Sequence, residues 1–206
     1  MLKISVLDSC SGIASPREQT MTPSERQKML RGELYRSAEP ELQTALAEAQ
    51  QQLRELNAIP NEDAEQRFAL LKRVLGEIGS GTQIKSPFSC DYGVHIRIGR
   101  NGFVNYGCVF LDCNLITIGD DVQIGPGVHI YTALHPLTPE IRRSGLESAK
   151  AVSIGHNVWL AGSCVICPGV SIGDNSVIGA GSVVVRDVPP SSLAVGNPCR
   201  VIKHLE

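Results

Sequence analysis

The chain is poor in aromatic side chains, 4 % of its 206 residues, and carries no surplus of charge, since 19 Lys and Arg against 21 Asp and Glu leave a formal net charge of −2. Without a basic field nothing chain-wide recruits nucleic acid or an anionic membrane, and neither is expected as a partner. Also lacking are a signal-peptide core, a regular cysteine framework and any apolar run of the ~18 residues that a membrane span needs. The 7 Cys are an odd number. Reduced thiols in a cytoplasmic protein are therefore expected. Gly, by contrast, is plentiful at 20 residues. The length suits one domain with an appendage rather than two enzymatic domains. Abundant Gly with few aromatics points to repetitive turns packed with aliphatic side chains, so internal repeats are sought first.

Residues 1–20 show no periodicity and are expected to form a disordered extension. Residues 21–76 read as a helical segment. Ser24 and Gln27 have capping-box spacing, and the helical pattern runs from Ser24 to about Tyr35 and again from Pro40 to Leu56. In the second stretch Leu42, Ala45, Leu46, Ala49, Leu53 and Leu56 recur at three- and four-residue steps. Asn61 is placed to cap a third helix carrying Phe68, Leu71 and Leu75. The charge runs Glu62-Asp63 and Lys72-Arg73 read as a solvated helix face.

After Gly76 helical periodicity disappears. Ile154, Leu160, Ile166, Ile172, Ile178 and Val184 follow one another every sixth residue, and the residues four further on, Val158, Cys164, Val170, Ser176, Ser182 and Val188, are small or β-branched. An upstream ladder runs Ile98, Val104, Phe110, Ile116 and then slips by two to Ile118, Ile124 and Ile130, implying one coil two residues longer than standard. A period of six is neither that of a helix nor that of an amphipathic strand; it is what a hexapeptide parallel β-helix requires. Each hexad forms one flat face, three faces close a triangular coil, and one aliphatic per face fills the axis. The fold class is therefore mainly β, with residues 77–206 as a β-helix domain, the helical segment over one end, and Pro189-Pro190 with the tail Pro198 to Leu205 as a C-terminal cap. Flat sides left exposed favour packing of prisms about a threefold axis, so a homotrimer is expected.

Between Ile130 and Ile154 the ladder fails, with Pro136, Arg142 and Ser148 where aliphatics belong, so residues 131–150 must leave the prism as a loop. Loops on rigid scaffolds carry function. This one holds His135, Glu140, Arg142, Arg143 and Glu147, and Pro136 keeps the preceding backbone of His135 extended.

The ladder, Asn105-Tyr106-Gly107-Cys108 with Leu111-Asp112, Ile130-Tyr131-Thr132-Ala133 before His135-Pro136, Asn157-Val158-Trp159, Ile178-Gly179-Ala180-Gly181-Ser182 and Gly196-Asn197-Pro198-Cys199-Arg200 together resemble the maltose/galactoside O-acetyltransferases over about residues 21–206. The resemblance implies a left-handed β-helix, a trimer and acetyl-CoA as donor, with no metal. It implies His135 as general base, which suits an imidazole of pKa near about 6.5 facing a protonated sugar hydroxyl. It matches Asn105 to a substrate-contacting Asn able to orient the hydroxyl or hold an oxyanion. Asp91, in Ser89-Cys90-Asp91-Tyr92-Gly93, and Asp112 match acceptor-contacting positions; the competing role for each is to cap a β-helix corner. Departures stand at Arg36 and Ser37, at Cys113 where galactoside-type relatives have a second acid, and at Leu137, leaving the acceptor open among maltose, glucose, galactosides and non-sugar alcohols.

Coenzyme A needs a groove for its pantetheine arm and cations for its phosphates. Gly162 and Ala180 match the family's contact positions, Val185 and Arg186 follow, Arg200 and Lys203 sit where phosphates would lie, and Trp159 would flank the reaction centre. Direct attack needs no acetyl-enzyme, although Cys113 stands beside Asp112. Three other readings compete. An acetyltransferase of the same fold acting on an antibiotic or an amino acid keeps the chemistry and changes the acceptor. A trimeric zinc carbonic anhydrase would use His95, His129 and His135, but the hexad phase puts the first two one residue before the core positions Ile96 and Ile130. A non-catalytic scaffold would need neither a loop-borne His nor small residues along a groove. Gly179-Ala180-Gly181 lacks the third Gly of a dinucleotide fingerprint and is a weak lookalike, and Cys164 with Cys167 has no second pair, so the two Cys read as structural.

Overall fold

Six-residue spacing becomes a three-sided prism. The computed structural model describes residues 22–206, so the expected extension at residues 1–20 lies outside the described residues. Strands Glu77–Ile78, Ile96–Ile98, Ile116–Ile118, Val152–Ile154 and Ser171–Ile172 stack in parallel as the first side. The second side comprises Gln83–Ile84, Phe103–Val104, Gln123–Ile124, Trp159–Leu160, Val177–Ile178 and Ser192–Val195, with Arg200–His204 added antiparallel at its end. The third side comprises Phe88–Cys90, Cys108–Leu111, His129–Tyr131, Val165–Ile166 and Val183–Val184. The ladder residues Val104, Phe110, Ile118, Ile124, Ile130, Ile154, Leu160, Ile166, Ile172, Ile178 and Val184 are all buried on the axis, each aliphatic worth ~2 kcal/mol of burial. The small partners Val158, Cys164, Val170, Ser176, Ser182 and Val188 are buried beside them.

Coil length departs from the expectation. Gln83 pairs with Phe103 and Phe103 with Gln123, twenty residues per coil, whereas Trp159 pairs with Val177 and Val165 with Val183, eighteen. Every upstream coil is the longer kind, its two extra residues lying in the corner between the third side and the first, from Cys90 to Ile96 and from Phe110 to Ile116. In consequence Cys90 pairs with Phe110 and Cys108 with Phe88, rather than the two Cys with each other.

Helix α1, Glu25–Leu30, starts at the Ser24–Gln27 capping box but ends well before Tyr35. Gly32 turns the backbone at φ +74, and Tyr35–Arg36 forms a strand. Helices α2, Pro40–Ala58, and α3, Ala64–Val74, send Leu53, Leu56, Leu70, Leu71 and Val74 into the prism core and close its first coil. The cap of α3 is Asp63, which accepts from the Gln66 N–H; Asn61 instead accepts from the Ser86 N–H at 2.8 Å, binding helices to prism.

The excursion is more ordered than a plain loop. Ala133–Leu134 and Leu146–Ala149 form a hairpin over α4, Pro139–Arg143, and Tyr35–Arg36 adds to it as a third strand. Beneath this sheet Met29, Tyr35, Leu42, Tyr92, Cys113 and Ala149 make a second, smaller core at the corner where the third side meets the first. No helix among the described residues is long and apolar enough to cross a membrane.

Candidate active site

The sequence-derived residues fall on two edges of the prism. Where the second side turns into the third, Asn105, Trp159 and Gly162 line one open groove of about 260 Å³ together with Phe103, Gln123 and Pro126. Asn105 follows Val104 at the corner; its Oδ1 accepts from the Tyr106 N–H at 2.8 Å, which fixes the amide and leaves Nδ2 without a partner among the described residues. Trp159 is 53 % exposed and forms the groove wall. The floor is narrow because coils touch there. The Gly125 N–H donates to the Leu160 carbonyl at 2.7 Å, and a Cβ on Gly125 would stand 2.6 Å from the Gly162 nitrogen. Exposed Ala180 continues the edge, with the adjoining Gly181 N–H on the Gly162 carbonyl at 3.0 Å. At its end lie exposed Arg200, paired with Val195, and exposed Lys203, paired with Leu193.

The other edge, between the third side and the first, carries Asp91, Asp112, His135, Val185 and Arg186. Asp112 is fully buried, and its carboxylate accepts from the backbone N–H groups of Asp91 at 3.0 Å, Tyr92 at 2.8 Å and His95 at 3.3 Å. That is corner capping, so Asp112 shapes the Asp91 turn from behind. Asp91 itself is half-buried and accepts from the Cys113 thiol at 3.4 Å. Burial raises both carboxyls to about 6, helped at Asp91 by the charge of Asp112 and opposed at Asp112 by the N–H donors. Burial, and then the charge of Asp91, pushes the Cys113 thiol up to about 12, so it stays protonated and serves as a donor. His135 ends the strand Ala133–Leu134 and is exposed on the protomer, as are Val185, Arg186 and the neighbouring Leu137. The loop is braced by the Arg142 guanidinium, which donates to the carbonyls of Pro136 at 2.9 Å and Leu137 at 3.1 Å.

Glu147 belongs to this edge as well. Its strand pairs with that of His135, its carboxylate accepts from the Tyr35 hydroxyl at 3.1 Å and the Ser37 hydroxyl at 2.9 Å, and Tyr35 pairs with it in register. The sequence shows Glu147 only as one polar loop residue among several; the alternation of Leu146, Glu147, Ser148 and Ala149 was the available signal. The three His considered for zinc are placed differently from one another. His95 is buried behind Asp112, His129 pairs with Tyr131, and no group of three metal-binding side chains occurs among the described residues.

Asn105 and Asp112 bracket the strand Cys108–Leu111, so the two edges stand roughly 20 Å apart across the third side at ~3.3 Å per residue. His135 follows the strand Ala133–Leu134 beyond the far edge and is not among the residues lining the Asn105 groove.

Residues 28–79 match the model described as the maltose acetyltransferase hexapeptide capping motif, and residues 151–186 match the bacterial transferase hexapeptide model. Nodulation protein L of Rhizobium meliloti is 49 % identical over 88 % of this chain and 99 % of its own. The crystal structure of a maltose O-acetyltransferase from Clostridium difficile superposes with a TM-score of 0.88 at 44 % identity, covering 89 % of this chain and 98 % of that one. A galactoside acetyltransferase in complex with coenzyme A superposes at 0.86 with 35 % identity, over 90 % of this chain and 92 % of that one.

Proposed function

The chain belongs to the maltose/galactoside O-acetyltransferase family of hexapeptide-repeat acyltransferases, and on that premise we propose that it moves the acetyl group of acetyl-CoA onto a sugar hydroxyl with His135 as general base. A sugar hydroxyl is almost wholly protonated near neutrality, so attack on the thioester requires proton removal as the C–O bond forms. The His135 imidazole takes that proton. The tetrahedral oxyanion collapses with loss of the C–S bond, and the proton passes to the departing coenzyme A thiolate. The unpartnered Nδ2 of Asn105 is a donor available to hydroxyl or oxyanion. The Trp159–Gly162–Ala180 edge accepts the pantetheine arm, and Arg200 with Lys203 lies at the phosphate end.

The separation of Asn105 from His135 carries the reading, because it requires a second copy. The three sides differ in character. Outward residues of the first are the exposed polar Glu77, Arg97, Thr117, Ser153 and Ser171, whereas those of the third include the half-buried Val109, Leu111, Val165 and Val183. Three prisms packed through their third sides form a closed trimer, and the His135 edge of each then meets the Asn105 edge of the next. Acetyl-CoA lies in that seam. Val185 and Arg186, which share the His135 edge, line it from the opposite wall.

The test is His135→Ala, assayed by thiol release with a panel of sugars. Turnover falls on the order of 10² to 10⁴ while coenzyme A binding and assembly persist. Turnover near wild type would remove His135 from the chemistry.

A further inference from the structure

His135 stands where the fold has least beneath it. The hairpin ladder that leads to it ends at Leu134, paired with Ser148, and every residue from Leu137 to Gly145 is exposed, Leu137 at 93 %. Helix α4 buries none of its five residues and has no side-chain cap. A single turn with no apolar face against a core does not hold its own shape in water. Its internal bonds, the Arg142 N–H on the Thr138 carbonyl at 3.0 Å and the Ser144 hydroxyl on that of Ile141 at 2.6 Å, stay within the turn. Arg36 touches only the far end, at the Ser144 carbonyl. Among the described residues one side chain of the loop reaches back to the backbone beside His135. It is Arg142, whose Nη1 donates to the carbonyls of Pro136 at 2.9 Å and Leu137 at 3.1 Å and whose guanidinium forms no salt bridge.

Resting on the acetyl-transfer reading above, we propose that Arg142 is a positioning residue for His135. The ring of Pro136 locks its own φ and confines the backbone of His135 to an extended state. Holding the Pro136 carbonyl therefore leaves little torsional freedom between the clamp and the Cα that carries the imidazole. The full charge of the guanidinium strengthens both bonds and closes a ring of backbone from Pro136 to Arg142, in a segment with no apolar contacts to do so. A base displaced by about 1 Å from the proton it must take loses on the order of 10² in rate. Arg142 sets the imidazole in place before donor and acceptor meet and takes no part in the reaction itself. Because one nitrogen serves both carbonyls, the clamp needs a positive donor at a single point rather than a planar fork. Lys can stand in for it; an isosteric neutral side chain cannot.

Wild type, Arg142→Met, His135→Ala and the double variant are compared by thiol release from acetyl-CoA with glucose, maltose and a galactoside as acceptors, with unfolding midpoints measured alongside. In Arg142→Met kcat falls on the order of 10- to 100-fold, while the KM for acetyl-CoA and the midpoint stay at wild-type values. Arg142→Lys recovers much of the loss, as does guanidinium added to Arg142→Ala at millimolar levels, far below those that denature. In the His135→Ala background Arg142→Met costs nothing further, since a residue that acts through the imidazole has nothing left to place. An equal fall in that background, kcat near wild type in Arg142→Met, or a loss that neither Lys nor guanidinium repairs overturns the proposal and leaves His135 as the base. Full turnover in His135→Ala, or no thiol release with any of the sugars, overturns both.

Discussion

Asp91 is a side chain whose ionised form the fold disfavours. Its carboxyl is held at about 6 against about 3.9 for a free Asp, so between those values the folded protein binds the extra proton. Folding stability therefore declines as pH rises through that window, and the ionised group is a liability at pH 7.5. Asp91→Asn is expected to raise stability at pH 7.5 by about 1 kcal/mol, with the gain gone by about pH 4, in urea melts at the two pH values. A lower midpoint for the variant at pH 7.5 would mean that the charge stabilises. Kinship and the failure of the six-residue ladder direct attention to Asp91 and His135 as candidates and place Glu147 in the same loop; its contact with Tyr35, 112 positions away, is one that no spacing encodes.

Arg67 does for the helices what the ladder does for the prism. It is 3 % exposed, and its guanidinium donates to the carbonyls of Leu56 at 3.0 Å, Ile59 at 2.8 Å and Ile84 at 2.7 Å. One side chain thus satisfies the end of α2 and fastens it to the strand Gln83–Ile84. Replacing it with Met preserves bulk and strands three buried acceptors, for a loss of about 2–4 kcal/mol in urea denaturation with kcat/KM preserved in the folded fraction. A loss under about 0.5 kcal/mol would show that the carbonyls find other donors. From the sequence Arg67 is an unremarked helix residue. The hexad was readable because one aliphatic per face must repeat; the twenty-residue coils were misread because Ile116 and Ile118 suit the axis equally well. The hydrophobic pattern alone carries the first helix to Tyr35, but the turn at Gly32 stops it earlier.

For the whole molecule, the distance between the two edges makes a stoichiometric prediction. In a closed trimer each site takes His135 from one chain and Asn105 from its neighbour. Inactive His135→Ala and inactive Asn105→Ala proteins, unfolded together and refolded as a one-to-one mixture, then regain about a quarter of wild-type activity, because every mixed trimer contains one intact site. No recovery despite mixed trimers would mean that both residues serve within one chain. Flat sides imply assembly; the proposal that the third side packs rests on its half-buried outward residues Val109, Leu111, Val165 and Val183.

The excursion departs after Tyr131 and the chain rejoins the stack at Val152, while His129 rests on Val109 and on Val165 as though nothing intervened. Its two ports are neighbours, so the stacking of the prism needs nothing from the span between them; what the span must match is the strand Tyr35–Arg36 and the small core beneath it. A replacement segment that keeps those contacts is therefore a substitution the coil stack tolerates.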